Sequence, residues 1–408
     1  MTDAPHILLL QGPLGPFFGD LACSLHEEGA VVHRVCINAG DRIFAVGDYI
    51  VPYTGTPEAW EEYLEAYIND HNIETICLYG DSRHYHQVAR SVGSRVGVPV
   101  LCLEEGYLRP GYITAEWGGN NVNSPLMINK TPHNTLECVA CDVGQTFWRR
   151  TWFGMVYYQF KLYHGYPYRY HLHHRPGASW DEMFKWIYSG ICKTFVRLSD
   201  YSANKFLNDF DKSNKDERLF FVPLQLASDS QIIHHSRFEN VEEFIVEVIT
   251  EFSKSRKAGD HIVLKHHPID RGFKNYRSLI ANQAKLYGIK EFVHYGFDLD
   301  MEEIFAKAIA CITINSTVGM KAVEAGIPCK VLAPCIYEHL TSKAALAAFI
   351  QSPACVTQQD PCVEFYGLLK KNALIGGDFY KNREIAAGKI SKVLLKKDKL
   401  FTPQPIKR

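Results

Sequence analysis

The chain has almost no net charge, no long apolar run and few familiar catalytic signatures. Its 44 Lys and Arg stand against 45 Asp and Glu over 408 residues, a net charge of −1. That balance excludes a general nucleic-acid binder and a supercharged or disordered chain. Hydrophobic residues make up 46% and charged residues 22%, ordinary values for a globular protein. This length predicts two to three domains with a large core. No stretch of about 18 apolar residues runs without charge, so no transmembrane helix is expected. The opening MTDAPHILLLQGPLG lacks a basic leader and does not read as a signal peptide. GxSxG, Walker A and HExxH patterns are missing, which removes the commonest hydrolase, NTPase and zinc-protease readings.

Cysteine is present but scattered. Cys77, Cys102 and Cys311 sit in apolar strands, where a thiol packs as a small hydrophobe. With no leader, this predicts a reducing cytosol. Cys138 and Cys141 form a CxxC without a second ligand pair, so no metal site is expected. Asp209-Phe-Asp211 and Asp298-Leu-Asp300 fall at predicted helix ends, where acids suit the helix dipole, and are discounted as metal ligands.

The first hundred residues alternate between periods of two and 3.6. They predict strands over His6–Gln11, Val31–Ile37, Glu74–Tyr79 and Val98–Leu103, separated by helices. Residues 120–218 break the rhythm, and alternation resumes from Leu219 to Leu332. Such βαβ repetition predicts a parallel sheet with helices on both faces. The expected fold is α/β and GT-B-like, with two Rossmann-like domains facing a central cleft. The expected domains are 1–215 on the acceptor side, including the irregular insertion, and 216–385 for the nucleotide sugar. A basic helix or tail follows over 386–408.

Ligands of open α/β sheets bind at the carboxyl ends of strands, so the residues leaving each strand are the candidates. After Val98–Leu103 come Glu104, Glu105, Gly106 and Arg109. A carboxylate here can serve as nucleophile or general base, and Arg109 can hold it. After His261–Lys265 come His266, His267 and Pro268. The proline biases His267 toward extended backbone, and its imidazole can donate to a phosphate or protonate a leaving group. After Ile309–Ile314 come Asn315, Ser316, Thr317 and Gly319, a helix start suited to an anion, with Glu324 about two turns on. Gln225, Asp229 and Ser230 form a polar run leaving another strand. In the first half, Gln11, Gly12 and Gly15 leave the first strand, and Asp81 and Arg83 leave the third. The two prolines of Gly12-Pro-Leu-Gly-Pro16 speak against a dinucleotide fingerprint.

Read in order, these strings resemble the capsule polysaccharide biosynthesis family of the KpsS type. They are LLLQGPLGPFF, NAGD (Asn38–Asp41), YGDSRHYH, EEGYLRPGYIT, VPLQLASDSQI, KHHP and INSTVGMKAVEAGIP. The resemblance implies a retaining β-Kdo glycosyltransferase that uses CMP-Kdo. Its acceptor would be a phosphatidylglycerol-type lipid at the cytoplasmic face of the inner membrane of a Gram-negative bacterium. It implies catalytic roles for Glu105, His267 and Arg109. Donor contacts would come from Lys265, Pro268, Asn315, Ser316, Thr317, Gly319, Glu324, Gln225, Asp229 and Ser230. Acceptor contacts would come from Gln11, Gly12, Gly15, Asp41, Asp81 and Arg83. No metal or other cofactor is expected, and no nucleic acid. Where related Kdo transferases typically carry an Asp, this chain reads Glu104-Glu105. Two other functions fit the same strings: a non-catalytic capsule export or assembly factor, and a CMP-sialic acid transferase.

The aromatic share of 12% is unevenly placed. Phe147–Tyr170 is dense in Trp, Tyr and Phe, and no Asp or Glu occurs from Val143 to Trp180. Lys389–Arg408 adds a second basic stretch. Aromatics beside Lys and Arg suit the headgroup zone of an anionic membrane, so peripheral inner-membrane binding through one or both stretches is expected.

Overall fold

A computed structural model of the chain describes residues 4–128, 140–141, 146–163, 166–171, 188, 200–211, 214, 216–227, 232, 235–268, 270, 274–355 and 359–396. Its strands are β1 (His6–Leu9), β2 (Val31–Cys36), β3 (Tyr49–Pro52), β4 (Thr75–Tyr79), β5 (Val100–Glu105) and β6 (Tyr112–Trp117), then β7 (Arg218–Pro223), β8 (Asp260–Lys265), β9 (Val293–Gly296), β10 (Ala308–Thr313), β11 (Cys329–Val331) and β12 (Leu374–Gly376). They form two compact α/β units. One comprises Met1–Met183 and Gly367–Arg408, the other Phe184–Tyr366.

The first unit carries a seven-stranded sheet in the order β12-β6-β5-β4-β1-β2-β3. β1 to β5 are parallel, while β6 runs antiparallel to β5 and β12 antiparallel to β6. The inner strands are apolar on both faces because both are covered. Leu8, Ile76, Leu78 and Cys102 pack with Trp60 and Tyr85 on one face. Leu9, Cys77, Leu101 and Leu103 pack with Phe17, Leu21 and Ile390 on the other. Each such side chain contributes roughly 1.5–3 kcal/mol on burial.

The second unit has an all-parallel sheet, β11-β10-β7-β8-β9. Phe220, Val222, Leu264 and Ile312 pack there against Phe244, Ile245 and Phe252 of the helix Val241–Ser255. Asn240 caps that helix by accepting the Glu243 amide at 2.9 Å. The Glu243 carboxylate takes the amide of Glu239, the residue before the cap, at 2.9 Å.

Two expectations change here. Residues 367–396 form neither a separate tail nor part of the second domain. From Gly367 the chain returns to the first unit, β12 joins its sheet, and the helix Arg383–Leu395 packs on the helix Phe17–Glu27. The returning helix buries Ala386, Ala387, Ile390 and Leu394 in the shared core, and Arg383 pairs with Asp20. The first boundary falls at Met183 rather than 215. β3, β6, β9 and β12 also go unannounced in the sequence. They hold only three to six residues, and three of them lie at sheet edges, where pairing with one neighbour defines the strand.

Candidate active site

Parallel strands end on one side of a sheet, which brings the residues after β1, β2, β4 and β5 to one edge of the first unit. β5 continues through both carboxylates, so alternation separates them. Glu105 shares the Leu101 and Leu103 face, and Glu104 shares the Cys102 face. One Glu105 oxygen lies 3.0 Å from Arg109 Nη1 and the other 2.8 Å from Arg150 Nη1. The carboxylate is sheltered, with its side chain 18% exposed, while Arg109 and Arg150 are 52% and 42% exposed. The site therefore presents cationic groups outward with an anion beneath them.

Gly106 makes this turn possible. A side-chain carbon there would meet the Tyr112 carbonyl oxygen at 2.3 Å. The Gly106 amide donates to that oxygen at 3.1 Å, and Arg109 Nε donates back to the Gly106 carbonyl at 3.1 Å. Arg150 arrives from the helix Phe147–Tyr163 and lies over the Tyr380 ring at 5.8 Å. Arg149 Nη1 donates to the Tyr380 carbonyl at 3.4 Å. Asp378 holds the same turn by accepting the amides of Tyr380 and Lys381 at 2.7 and 2.9 Å.

Burial works against the Arg150 charge, but Glu105, with Tyr380, Tyr79 and Glu104, outweighs it and holds the guanidinium pKa above its usual value. Burial raises the Glu104 carboxyl; Arg83 opposes this and Glu105 adds to it. Glu104 accepts the Glu105 amide at 3.2 Å.

A second network lies beside this pair. Arg83 Nη1 donates to Gln11 Oε1 at 3.1 Å and to the Tyr79 carbonyl at 2.8 Å. Gln11 Nε2 donates to both Asp41 oxygens, at 3.0 and 3.1 Å, and to the Tyr157 hydroxyl at 3.0 Å. Tyr157 in turn donates to Asp41 at 3.1 Å. The buried Asp41 carboxylate is thus committed to internal donors, as is Asp81. Asp81 accepts the Asn120 amide at 3.0 Å and Asn123 Nδ2 at 2.9 Å. Both were expected to contact an acceptor. A buried carboxylate needs such partners to be tolerated, and these hydrogen bonds fix both side chains in place. Gly12 and Gly15 are likewise set by packing: a side-chain carbon would meet the Phe18 ring at 2.7 Å and the Phe153 ring at 2.8 Å, and Gly15 has φ +109°.

Glu116 is a buried carboxyl that sequence reading did not single out. It accepts the Tyr107 hydroxyl at 2.6 Å and the Ser124 hydroxyl at 2.5 Å. Burial lifts its pKa from 4.5 to about 7, against those two hydrogen bonds. Between these values the folded chain holds a proton that the unfolded chain has released. Its contribution to stability is complete below pH 4.5 and is lost as pH rises through about 7. Glu116→Gln is expected to flatten this slope, read as urea midpoints on either side of the window.

In the second unit the ends of three neighbouring strands carry the donor-side candidates. Gln225 follows β7, Lys265 ends β8, and Asn315 follows β10. Gln225 Nε2 donates to Asn315 Oδ1 at 3.0 Å, and the Asn315 amide donates to Gln225 Oε1 at 3.2 Å, locking two strand exits together. Ser316 caps the helix Thr317–Glu324 by accepting the Val318 amide at 3.2 Å. The Tyr337 hydroxyl donates to the Ser316 carbonyl at 2.5 Å. Of the two histidines, His266 is buried, its Nδ1 2.8 Å from the Tyr295 hydroxyl and its ring against Phe297. His267 and Pro268 are more open. Gly319 has no room for a side chain, since a side-chain carbon would meet the Tyr337 hydroxyl at 2.5 Å.

Glu324 is not brought to this cluster. It is the last residue of its helix and exposed, about 10 Å along the axis from Thr317. Asp300 caps the helix Met301–Lys307, accepting the Glu302 amide at 2.7 Å and the Glu303 amide at 3.1 Å. Asp229, Ser230, Cys138 and residues 397–408 lie outside the described residues.

A family model described as capsule polysaccharide biosynthesis protein matches residues 74–380. The chain belongs to this capsule polysaccharide biosynthesis family. It is 33% identical over 360 residues to the capsule polysaccharide export protein KpsS of Escherichia coli, spanning 85% of this chain and 89% of that protein. It is 30% identical over 373 residues to the capsule polysaccharide modification protein LipB of Neisseria meningitidis serogroup B, spanning 86% of each. Among solved structures, the β-Kdo 2,7 transferase KpsC of Thermosulfurimonas dismutans aligns at 11% identity with a TM-score of 0.40. That alignment covers 94% of this chain and 99% of the other. The family match includes Glu105, Arg109, Arg150, His267 and Ser316. Sequence reading placed Arg150 and Tyr157 only within a basic, aromatic stretch and passed over Asp378 and Tyr380. Nothing local marks them, because they reach the strand ends from 40 to 300 residues away. No helix among the described residues is long and apolar enough to cross a membrane.

Proposed function

We propose that this capsule protein is a retaining glycosyltransferase that moves Kdo from CMP-Kdo to a phosphatidylglycerol-type lipid at the cytoplasmic face of the inner membrane. The carrying observation is Glu105 at the end of β5, sheltered between Arg109 and Arg150. Kdo is a keto-sugar acid, so departure of CMP leaves an oxocarbenium-like centre with no hydrogen at the anomeric carbon. A carboxylate beneath that carbon traps or stabilises it, and attack by the lipid hydroxyl from the other face, with its proton passing to the departed phosphate or to water, restores configuration. CMP departs with the bonding electrons on its phosphate. In this reading His267 and Lys265 supply positive charge to that phosphate, and Ser316, Thr317 and the helix start supply hydrogen-bond donors. Gln225 and Asn315 hold the strand exits in register.

One observation favours a second role for the same group. Both Glu105 oxygens face guanidinium groups, so Glu105 also suits an anchor that aims Arg109 and Arg150 at the acceptor phosphate or the Kdo carboxylate.

The test is purified protein with a fluorescent phosphatidylglycerol analogue and either CMP-Kdo or CMP-sialic acid, scored by product mass. Addition of one Kdo, undiminished in EDTA, is the expected result. Transfer of sialic acid alone would reassign the donor. No transfer from either would return the chain to an export or assembly role.

A further inference from the structure

The helix Phe147–Tyr163 has two faces with different work. Its inner face carries Arg150 to Glu105 and Tyr157 to Gln11 and Asp41, with Gly154 and Lys161 buried alongside. Trp148, Trp152, Met155 and Leu162 are spaced i, i+4, i+7 and i+14 and fall within about 80° of one another. This is the face opposite Arg150 and Tyr157. Amphipathic helices of globular proteins turn such a stripe inward; here it is outward. Trp148 is 76% exposed, Trp152 62%, Met155 37% and Leu162 47%, and Tyr166 just beyond the helix is 89% exposed.

We propose that this stripe is an interfacial anchor that lies in the headgroup zone of an anionic bilayer and sets the Glu105 site at the lipid surface. The occupant follows from charge as well as apolarity. No Asp or Glu occurs from Val143 to Trp180, whereas Arg149, Arg150, Lys161, Arg169 and Arg175 do. Arg150 is paired with Glu105 and Lys161 is buried on the inner face, so the charge beside the stripe is that of the exposed Arg149, with no carboxylate on the helix to oppose an anionic headgroup. Paired tryptophans suit the boundary, with an apolar ring and an indole N–H that stays hydrated. The anchor is about 21 Å long at 1.5 Å per residue. Because one helix carries both anchor and Arg150, docking places the cationic mouth over Glu105 beside the headgroups. This deepens the lipid-acceptor reading above and rests on it for the substrate, while the docking itself stands apart from the reaction.

The experiment is flotation of the full chain with vesicles of phosphatidylcholine, alone or equimolar with phosphatidylglycerol, with no donor present. The wild-type chain is expected to float with the anionic vesicles and far less with the neutral ones, and Trp148→Ser with Trp152→Ser is expected to lower anionic binding by at least about tenfold. A control pair, Tyr201→Ser and Leu286→Ser, replaces exposed apolar residues of the other unit and is expected to bind as wild type. Circular dichroism and the thermal midpoint establish that each variant is folded. Undiminished binding by the tryptophan variant overturns the proposal. So does a wild-type dimer in sedimentation that the same variant dissociates, since the stripe would then join two copies. Because binding is read without donor, failure of the transferase reading leaves this result standing, and the converse also holds.

Discussion

Glu105→Ala is expected to lower Kdo transfer by at least about a thousandfold, which corresponds to roughly 4 kcal/mol of transition-state stabilisation. The reason is geometric. Glu105 ends its strand on the face opposite Glu104, sheltered beneath two more exposed arginines, and Glu104 is engaged with the Glu105 amide. Glu105 is the one carboxylate of β5 on that face. The Ala variant is expected to fold, since the carboxylate is not enclosed in the core. Intact-protein mass spectrometry with CMP-Kdo and no acceptor separates the roles of this group. Wild-type protein gains the mass of one Kdo if Glu105 forms the covalent intermediate, and Glu105→Ala does not. Near-normal turnover by the Ala variant would remove Glu105 from the chemistry.

Arg150→Ala is expected to lower kcat/KM by about a hundredfold, and the division of the loss between kcat and KM distinguishes the two roles of Glu105. If Glu105 is the nucleophile, Arg150 steadies it, and the loss falls mainly on kcat. If Glu105 anchors the arginines for an anionic ligand, the loss falls mainly on KM for the lipid. In that case Glu105→Gln keeps more turnover than Glu105→Ala, because its amide oxygen still accepts from one of the two guanidinium groups. The pair is partly exposed, so most of the effect comes from positioning rather than from a large ion-pair energy. Unchanged kinetics in Arg150→Ala would show that its closeness to Glu105 is incidental.

Much of the fold was legible because its signals are local. The apolar runs that became β1, β2, β4, β5, β7, β8 and β10 are central or well-covered strands, and their hydrophobic character survives any later packing. Asn240 and Ser316, residue types that favour the position before a helix, act as caps. Edge strands such as β3 and β12 were not legible, since they owe their pairing to a neighbour and have little periodicity of their own. The same contrast divides the candidate site. Glu105, Gly106 and Arg109 lie within one turn, so their association follows from a strand end and one glycine. Asp41 and Asp81 looked identical in kind, yet burial commits them to internal donors.

The sequence by itself determined the alternation of strand and helix, the strand exits where polar residues gather, and the basic, aromatic character of residues 143–180. Those properties belong to adjacent residues and to spacing along one chain. Only the tertiary structure decided that the chain's end returns to the first unit, that Arg150 meets Glu105 across 45 positions, and that Trp148 and Trp152 face outward while Tyr157 faces in. The physical reason is that each depends on which helix face the sheet covers. That choice is made by packing between segments far apart in the chain, and no local pattern encodes it.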